Sequence, residues 1–296
     1  MTRLRVGQAG LGYWGRNLAR NFDDLTDLRW LCDASEERRA EFAERYPNAQ
    51  VTADFEEMVS SGDLDAVVIA TPVPTHYPLA RSALAAGLHV FVEKPPAMQA
   101  AEMEELIDAG ELGEVLVVYG NRQNLGKIRK DENALWSLGV HDLSVIQYLI
   151  QEEIVEAAAH GHAFLNEGVE DVVFCYLRFA SGKIAHMHLS WLDPHKMRRL
   201  TVVGRDKMAV FDDMELDHKI TIYDKAPEQP SETYGEWRTR TGDTFSPKLS
   251  NAEPLRLECR HFVRLVQEGW DGREMRDGLE VVRALELLTE SLRDGG

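Results

Sequence analysis

Gly10-Leu11-Gly12-Tyr13-Trp14-Gly15 sets three glycines at the spacing G-x-G-x-x-G, directly after an apolar run and at the head of a helical pattern. Gly10 permits a tight turn there, Gly12 lets backbone approach a pyrophosphate, and Gly15 allows a helix to lie against a strand. The helix N-terminus supplies N–H donors and positive dipole to the phosphates, and Leu11, Tyr13 and Trp14 share that loop. Glycines also make ordinary turns, so a second feature decides. Asp33 closes the next apolar run 18 residues after Gly15, about the separation at which an acid binds a ribose diol. The implied chemistry is dinucleotide binding. Asp33 repels a 2′-phosphate, so NAD is expected ahead of NADP. Arg38 and Arg39 weaken that preference, but they read more simply as a solvated helix face.

These residues need a scaffold that brings strand ends together. Leu4–Ala9, Leu28–Cys32, Ala66–Ala70 and Leu88–Val92 are short apolar runs separated by helical patterns. Ala66–Ala70 is uninterrupted, as expected of a parallel strand covered on both faces. Ser35 caps a helix with Glu36 and Glu37 in its first turn, and Tyr77–Ala86 is a helix closed by Gly87. The alternation predicts a doubly wound parallel sheet. After about Gly113 the pattern changes. Glu114–Gly120, Val172–Phe179, Lys183–Leu192, Leu200–Val203, Met208–Phe211 and Lys219–Tyr223 read as strands without long intervening helices, with a hairpin at Ser181-Gly182. Ala185, Met187, Leu189 and Trp191 share one face of their strand, opposite His186, His188 and Ser190. Two amphipathic helices close the chain, and Pro227–Thr244 reads as a polar excursion. The expected class is α/β: a Rossmann sheet over residues 1–112, then an α+β domain over 113–296 with an open, mainly antiparallel sheet.

The 296 residues carry 50 Asp+Glu against 33 Lys+Arg, a formal net charge of −17. Such a surface repels phosphate backbones and anionic lipid, so neither nucleic acid nor membrane is an expected partner. No apolar run reaches a bilayer-spanning length. The early first strand leaves no room for a signal peptide. Cys32, Cys175 and Cys259 lack metal-ligand spacing, and an odd count suits a reducing cytoplasm. His186 and His188 have no acid or cysteine at ligand spacing and read as sheet or interface residues; no metal is expected.

Glu93-Lys94-Pro95, together with the glycine loop, Ala70-Thr71-Pro72, His76 and Gly139-Val140-His141-Asp142, resembles the Gfo/Idh/MocA oxidoreductase family over nearly the whole chain. The resemblance implies that Thr71, Pro72, His76, Glu93 and Lys94 join the loop in holding a nicotinamide dinucleotide. It also implies that Lys94 and His141 are catalytic and contact substrate with Asp142. Oxidising a secondary alcohol requires a group to take the hydroxyl proton. A His titrates near neutrality, so His141 is the expected base and Lys94 its hydrogen-bonding or relay partner. Ser137 and Ser144 stand where relatives commonly carry acids. The stretch from Gly120 to Trp136 looks most like members acting on nucleotide sugars. Within it, Asn121, Arg122, Lys127, Arg129 and Lys130 form a basic segment suited to an anionic substrate, and an exposed basic turn fits equally well.

One piece is missing. Family members place roughly thirty further residues, a strand and a helix, between the helix after Lys94-Pro95-Pro96 and Asp108–Val115. The last strand, Leu88–Val92, is then expected to be covered by Glu114–Gly120, by another segment or by a second subunit. The expected activity is NAD-dependent hydride transfer at a sugar alcohol, in a homodimer or homotetramer joined through the C-terminal sheet. The alternative is a catalytically impaired dinucleotide-binding sensor or scaffold.

Overall fold

The computed structural model describes residues 3–92, 112, 114–126, 128–130, 132–228, 238–247, 253–269 and 273–295. The chain divides into two units, Met1–Pro96 with Ala252–Asp271, and Ala97–Asn251 with Gly272–Gly296.

In the first unit, β1 (Arg5–Ala9), β2 (Asp27–Cys32), β3 (Gln50–Thr52), β4 (Ala66–Ile69) and β5 (His89–Val92) alternate with α1 (Gly15–Leu25), α2 (Glu36–Arg45), α3 (Phe55–Val59) and α4 (His76–Ala85). The strands pair in parallel in the order β3-β2-β1-β4-β5. All of β4 is buried, which explains its uninterrupted apolar sequence. Ser35 caps α2 by accepting from Arg38 N–H, with Glu36 and Glu37 in the first turn, and Asp54 caps α3 in the same manner.

The helix α6 (Pro254–Glu268) packs on this unit, although it follows the second sheet in the chain and the division at 112/113 sets it with that sheet. Its stripe Leu255, Cys259 and Val263 joins the core of Leu18, Phe22 and Val68. Phe262 meets Phe22 and Phe91 edge-on, with centroids 6.1 and 5.4 Å apart. Arg20 pairs with Glu253, and Arg256 with Asp24.

The second unit holds an eight-stranded sheet: β6 (Val115–Gln123), β7 (Ile154–His162), β8 (Val172–Phe179), β9 (Ile184–Ser190), β10 (Met197–Gly204), β11 (Met208–Asp212), β12 (Ile220–Glu228) and β13 (Arg238–Phe245). The order is β13-β12-β11-β10-β6-β9-β8-β7, antiparallel except for β6 against β9. Its buried face packs Val118, Val173 and Met187 on α5 (Val140–Ile150) and α7 (Arg273–Asp294), through Leu143, Ile146, Leu285 and Leu288. Ala185, Met187, Leu189 and Trp191 are all buried, as their alternation predicts.

Two expectations change. Glu114–Gly120 does not cover β5: that stretch lies in β6, whose partners are β10 and β9, and among the described residues β5 pairs with β4. The described part of the segment read as a polar excursion is sheet, because β12 runs to Glu228 and pairs with β13. Almost all of β13 is exposed, so no apolar alternation marks it in the sequence.

Candidate active site

The glycine loop is built from backbone contacts that exclude side chains at two of its three glycines. Gly10 has φ 92°, and a Cβ there would lie 2.8 Å from Thr71 N and collide with the Ala70 carbonyl. A Cβ on Gly15 would collide with the Gly10 carbonyl. Gly12 differs: a Cβ there meets only Arg38 Nη1, at 3.7 Å. The fold itself does not require glycine at 12, so the space over it is available to a ligand. Behind it, α1 begins without a side-chain cap and without an acid in its first turn, unlike α2 and α3. Its dipole and N–H groups suit an anion.

Asp33, 9% exposed, accepts Leu11 N–H at 2.7 Å and Ser35 N–H at 2.8 Å, which fixes its carboxylate beside the loop. Oδ2 also accepts a long hydrogen bond from Arg38, so Oδ1 is the oxygen that keeps a lone pair for a hydroxyl. Arg38 Nη1 stands 3.5 Å from Asp33 Oδ2, so this arginine faces the loop. Arg39 donates to the carbonyls of Asp33 and Ala34 and ties the strand end to α2. At the end of β4, His76 Nε2 lies 2.6 Å from the Thr71 carbonyl and Thr75 Oγ1 donates to the Pro72 carbonyl, shaping that turn. Tyr13 is exposed and Trp14 partly so. Sequence reasoning missed Gln8. Its buried amide donates to the carbonyls of Gly10 (3.0 Å) and Gly15 (2.8 Å) and clamps the loop from below. The signal was a lone polar residue inside an apolar strand.

In the second unit, His141 sits in the first turn of α5, directly after a π-helical turn over Leu135–Gly139. Asp142 is 5% exposed, and its Oδ1 accepts from Arg122 Nε at 2.8 Å, with Arg122 Nη2 2.7 Å from the same oxygen in the ion pair. Burial pushes the Asp142 carboxyl above the usual range, against the opposing pull of Arg122. The basic segment is not brought together as one patch. In β6 the side-chain period of two sends Arg122 to the helix side and Asn121 to the other, beside His188 in the sheet register. Arg129 pairs with Glu132 at 2.9 Å. Glu93, Lys94 and Lys127 lie outside the described residues. His186 stacks on Tyr119 and His188 on Phe174, with centroids 5.0 and 4.3 Å apart, and burial lowers both histidines' pKa. Among the described residues no group of three or more His, Cys, Asp or Glu could hold a metal.

A parallel sheet whose first strand turns into a helix through G-x-G-x-x-G, with a buried acid at the end of the next strand, is the architecture of NAD-binding Rossmann proteins. The comparisons narrow it. Residues 4–120 match the oxidoreductase family with NAD-binding Rossmann fold, Gfo/Idh/MocA, and residues 100–210 match the C-terminal domain of the same family. The chain belongs to the Gfo/Idh/MocA family. UDP-N-acetylglucosamine 3-dehydrogenase of Acidithiobacillus ferrooxidans is 24% identical over 75% of this chain and 78% of its own. Its solved structure superposes with TM-score 0.80 at 22% identity, covering 100% of this chain and 99% of that one. Scyllo-inositol dehydrogenase of Lactobacillus casei, solved with NAD(H) and scyllo-inositol, gives TM-score 0.77 at 18% identity, covering 99% and 98%. Inositol 2-dehydrogenase of Acidothermus cellulolyticus is 23% identical over 98% of this chain and 93% of its own. That alignment spans 331 positions, more than the 296 residues here, so the relative carries residues that this chain lacks.

Proposed function

We propose that this chain is an NAD-dependent dehydrogenase that moves hydride between a secondary alcohol of a sugar, specifically a nucleotide sugar, and the nicotinamide. The observation that carries the reading is Gly12: its neighbours Gly10 and Gly15 are fixed by the fold, whereas the fold leaves Gly12 open beside an uncapped helix start and the buried carboxylate of Asp33. Leu11–Gly15 and the start of α1 hold the pyrophosphate, and Asp33 holds the adenosine ribose. Bound there, the nicotinamide supplies the hydride acceptor. His141 takes the hydroxyl proton as general base, and Lys94 orients the hydroxyl or relays that proton. The nucleotide-sugar assignment draws on the 3-dehydrogenase relative. Assembly through the second sheet is part of the reading: Tyr119, Phe174 and His186 stand on the face away from α5 and α7.

The test is absorbance at the reduced-nicotinamide band when purified protein and NAD+ meet a panel of nucleotide sugars and inositols. A nucleotide sugar is expected to give the signal. His141→Ala and Lys94→Ala are each expected to lower turnover by about two or more orders of magnitude, with NAD affinity retained in His141→Ala. Tight NAD binding without turnover on any polyol would refute the dehydrogenase and leave the impaired binding protein that the missing strand suggests.

A further inference from the structure

Beside the proposed base lies a buried ion pair whose chemistry is not that of a substrate ligand. Asp142 follows His141 directly in the first turn of α5, and its Oδ1 takes the Arg122 Nε hydrogen bond, with Nη2 2.7 Å away in the ion pair. Its Oδ2 is buried and has no hydrogen-bond partner among the described residues. That oxygen lies over Gly120, where a Cβ would stand 2.8 Å from it. Glycine inside a strand weakens it, and here the glycine makes room for the carboxylate. The other side of the helix start is fixed as closely, since a Cβ on Gly139 would stand 2.8 Å from Leu189 Cδ1. Arg122 and Leu189 are register partners on β6 and β9. The turn before His141 and the turn that contains it therefore rest on adjacent sheet positions.

We propose that Gly120, Arg122 and Asp142 form a lock that seats the first turn of α5 on β6, and that Asp142 is a positioning residue for His141. The inference rests on the reading of His141 as the base. Stability is a poor account of the pair. Buried ion pairs contribute little net stability compared with apolar replacements. Arg122 also stands opposite a like charge, Arg198, in the β6–β10 register. Arg198 needs Asp213, at 3.2 Å, as its own partner. What the pair adds is direction, because the Arg122 Nε hydrogen bond on Oδ1 and the close seat of Oδ2 over Gly120 together fix the helix rotation that sets where His141 points. The π-helical turn just before it, a device common at functional sites, shifts the helix face by an extra residue. Proton abstraction is sensitive to displacements of about 1 Å, so loosening the seat is expected to cost turnover rather than binding.

The experiment compares Arg122→Met/Asp142→Leu, Asp142→Asn and His141→Ala with the wild type, in the full chain with NAD+ and the nucleotide sugar that gives turnover. The double variant is expected to melt within a few degrees of the wild type, keep KM and NAD affinity, and lose kcat by about 100-fold. Asp142→Asn keeps an acceptor on Arg122 and is expected to retain more turnover than the double variant. Wild-type kcat in the double variant, beside an inactive His141→Ala, overturns the lock alone. Near-normal turnover in His141→Ala overturns the reading of the base, and the lock with it. If the double variant does not fold, Gly120→Ala takes its place, since its methyl displaces Oδ2. Wild-type kcat in that variant would equally overturn the proposal.

Discussion

Gly12→Ala separates what the glycine loop does for the fold from what it does for the cofactor. Gly12 is not among the glycines with positive φ, and a new methyl meets only Arg38 Nη1 at 3.7 Å. The ligand-free protein should therefore tolerate the change. Alanine restricts the unfolded chain, which stabilises compatible sites by about 0.4–1 kcal/mol, so Tm should hold or rise slightly. Binding is another matter, because the methyl occupies the path of the pyrophosphate. Losing one charge-assisted hydrogen bond costs about 1.5–3 kcal/mol, or roughly 10- to 150-fold in Kd for NAD. The assay is calorimetric titration with NAD+, beside thermal melts with and without cofactor. Gly10→Ala is the contrast: its φ of 92° and the contact 2.8 Å from Thr71 N should lower the cofactor-free Tm. A Gly12→Ala variant that binds NAD within twofold of the wild type would refute the placement of the pyrophosphate. A loss of cofactor-free stability equal to that of Gly10→Ala would refute the claim that the space is free.

Burial pushes the thiol of Cys32 up to about 11, and those of Cys175 and Cys259 to about 12, so a thiol reagent at pH 8 should label none until denaturant is added; rapid labelling of the native chain would contradict this. Phe262→Ala removes two edge-on ring contacts and should destabilise the first unit by about 2–4 kcal/mol, read by denaturant unfolding; a change below about 0.5 kcal/mol would show that α6 is not needed by that core. The Arg5 hydrogen bond holds the Asp65 carboxyl below the usual range, so its stabilisation is present above about pH 4 and fades as pH falls through the lower folded value. Asp65→Asn should accordingly lower Tm slightly at pH 7, because the pair is part-exposed and screened, and the gap should close as pH falls below the usual carboxylate range; a gap that widens there would reverse the assignment.

The residues legible in the sequence were those whose geometry is local. The glycine spacing and Asp33 are set by one strand–turn–helix and the next strand, and the alternation of Ala185, Met187, Leu189 and Trp191 names its own buried face. Side chains whose partners come from elsewhere were not legible. Asp142 reads as one more polar residue in a motif until β6 supplies Arg122 and an empty position at Gly120. Asn121 and Arg122 look like one basic patch in a linear reading, although the period of a strand separates them. In α6, the stripe of Leu255, Cys259 and Val263 shows that the helix is packed, but the core it packs on is fixed by topology, which a linear pattern does not carry.

The return of α6 to the first unit has a consequence for synthesis. Phe91 leaves the ribosome roughly 170 residues before Phe262, and at about 5–20 residues per second that is a wait of roughly 8–35 s. During that interval the nascent sheet shows Phe22 and Phe91 to solvent with nothing from α6 to cover them. A fragment ending after β5 would inherit the same exposed rings permanently, so the cofactor unit should be expressed with residues 253–269 fused behind it. Joining β5 to α6 by a short linker would shorten the loop that must close and spare the nascent chain its longest exposure.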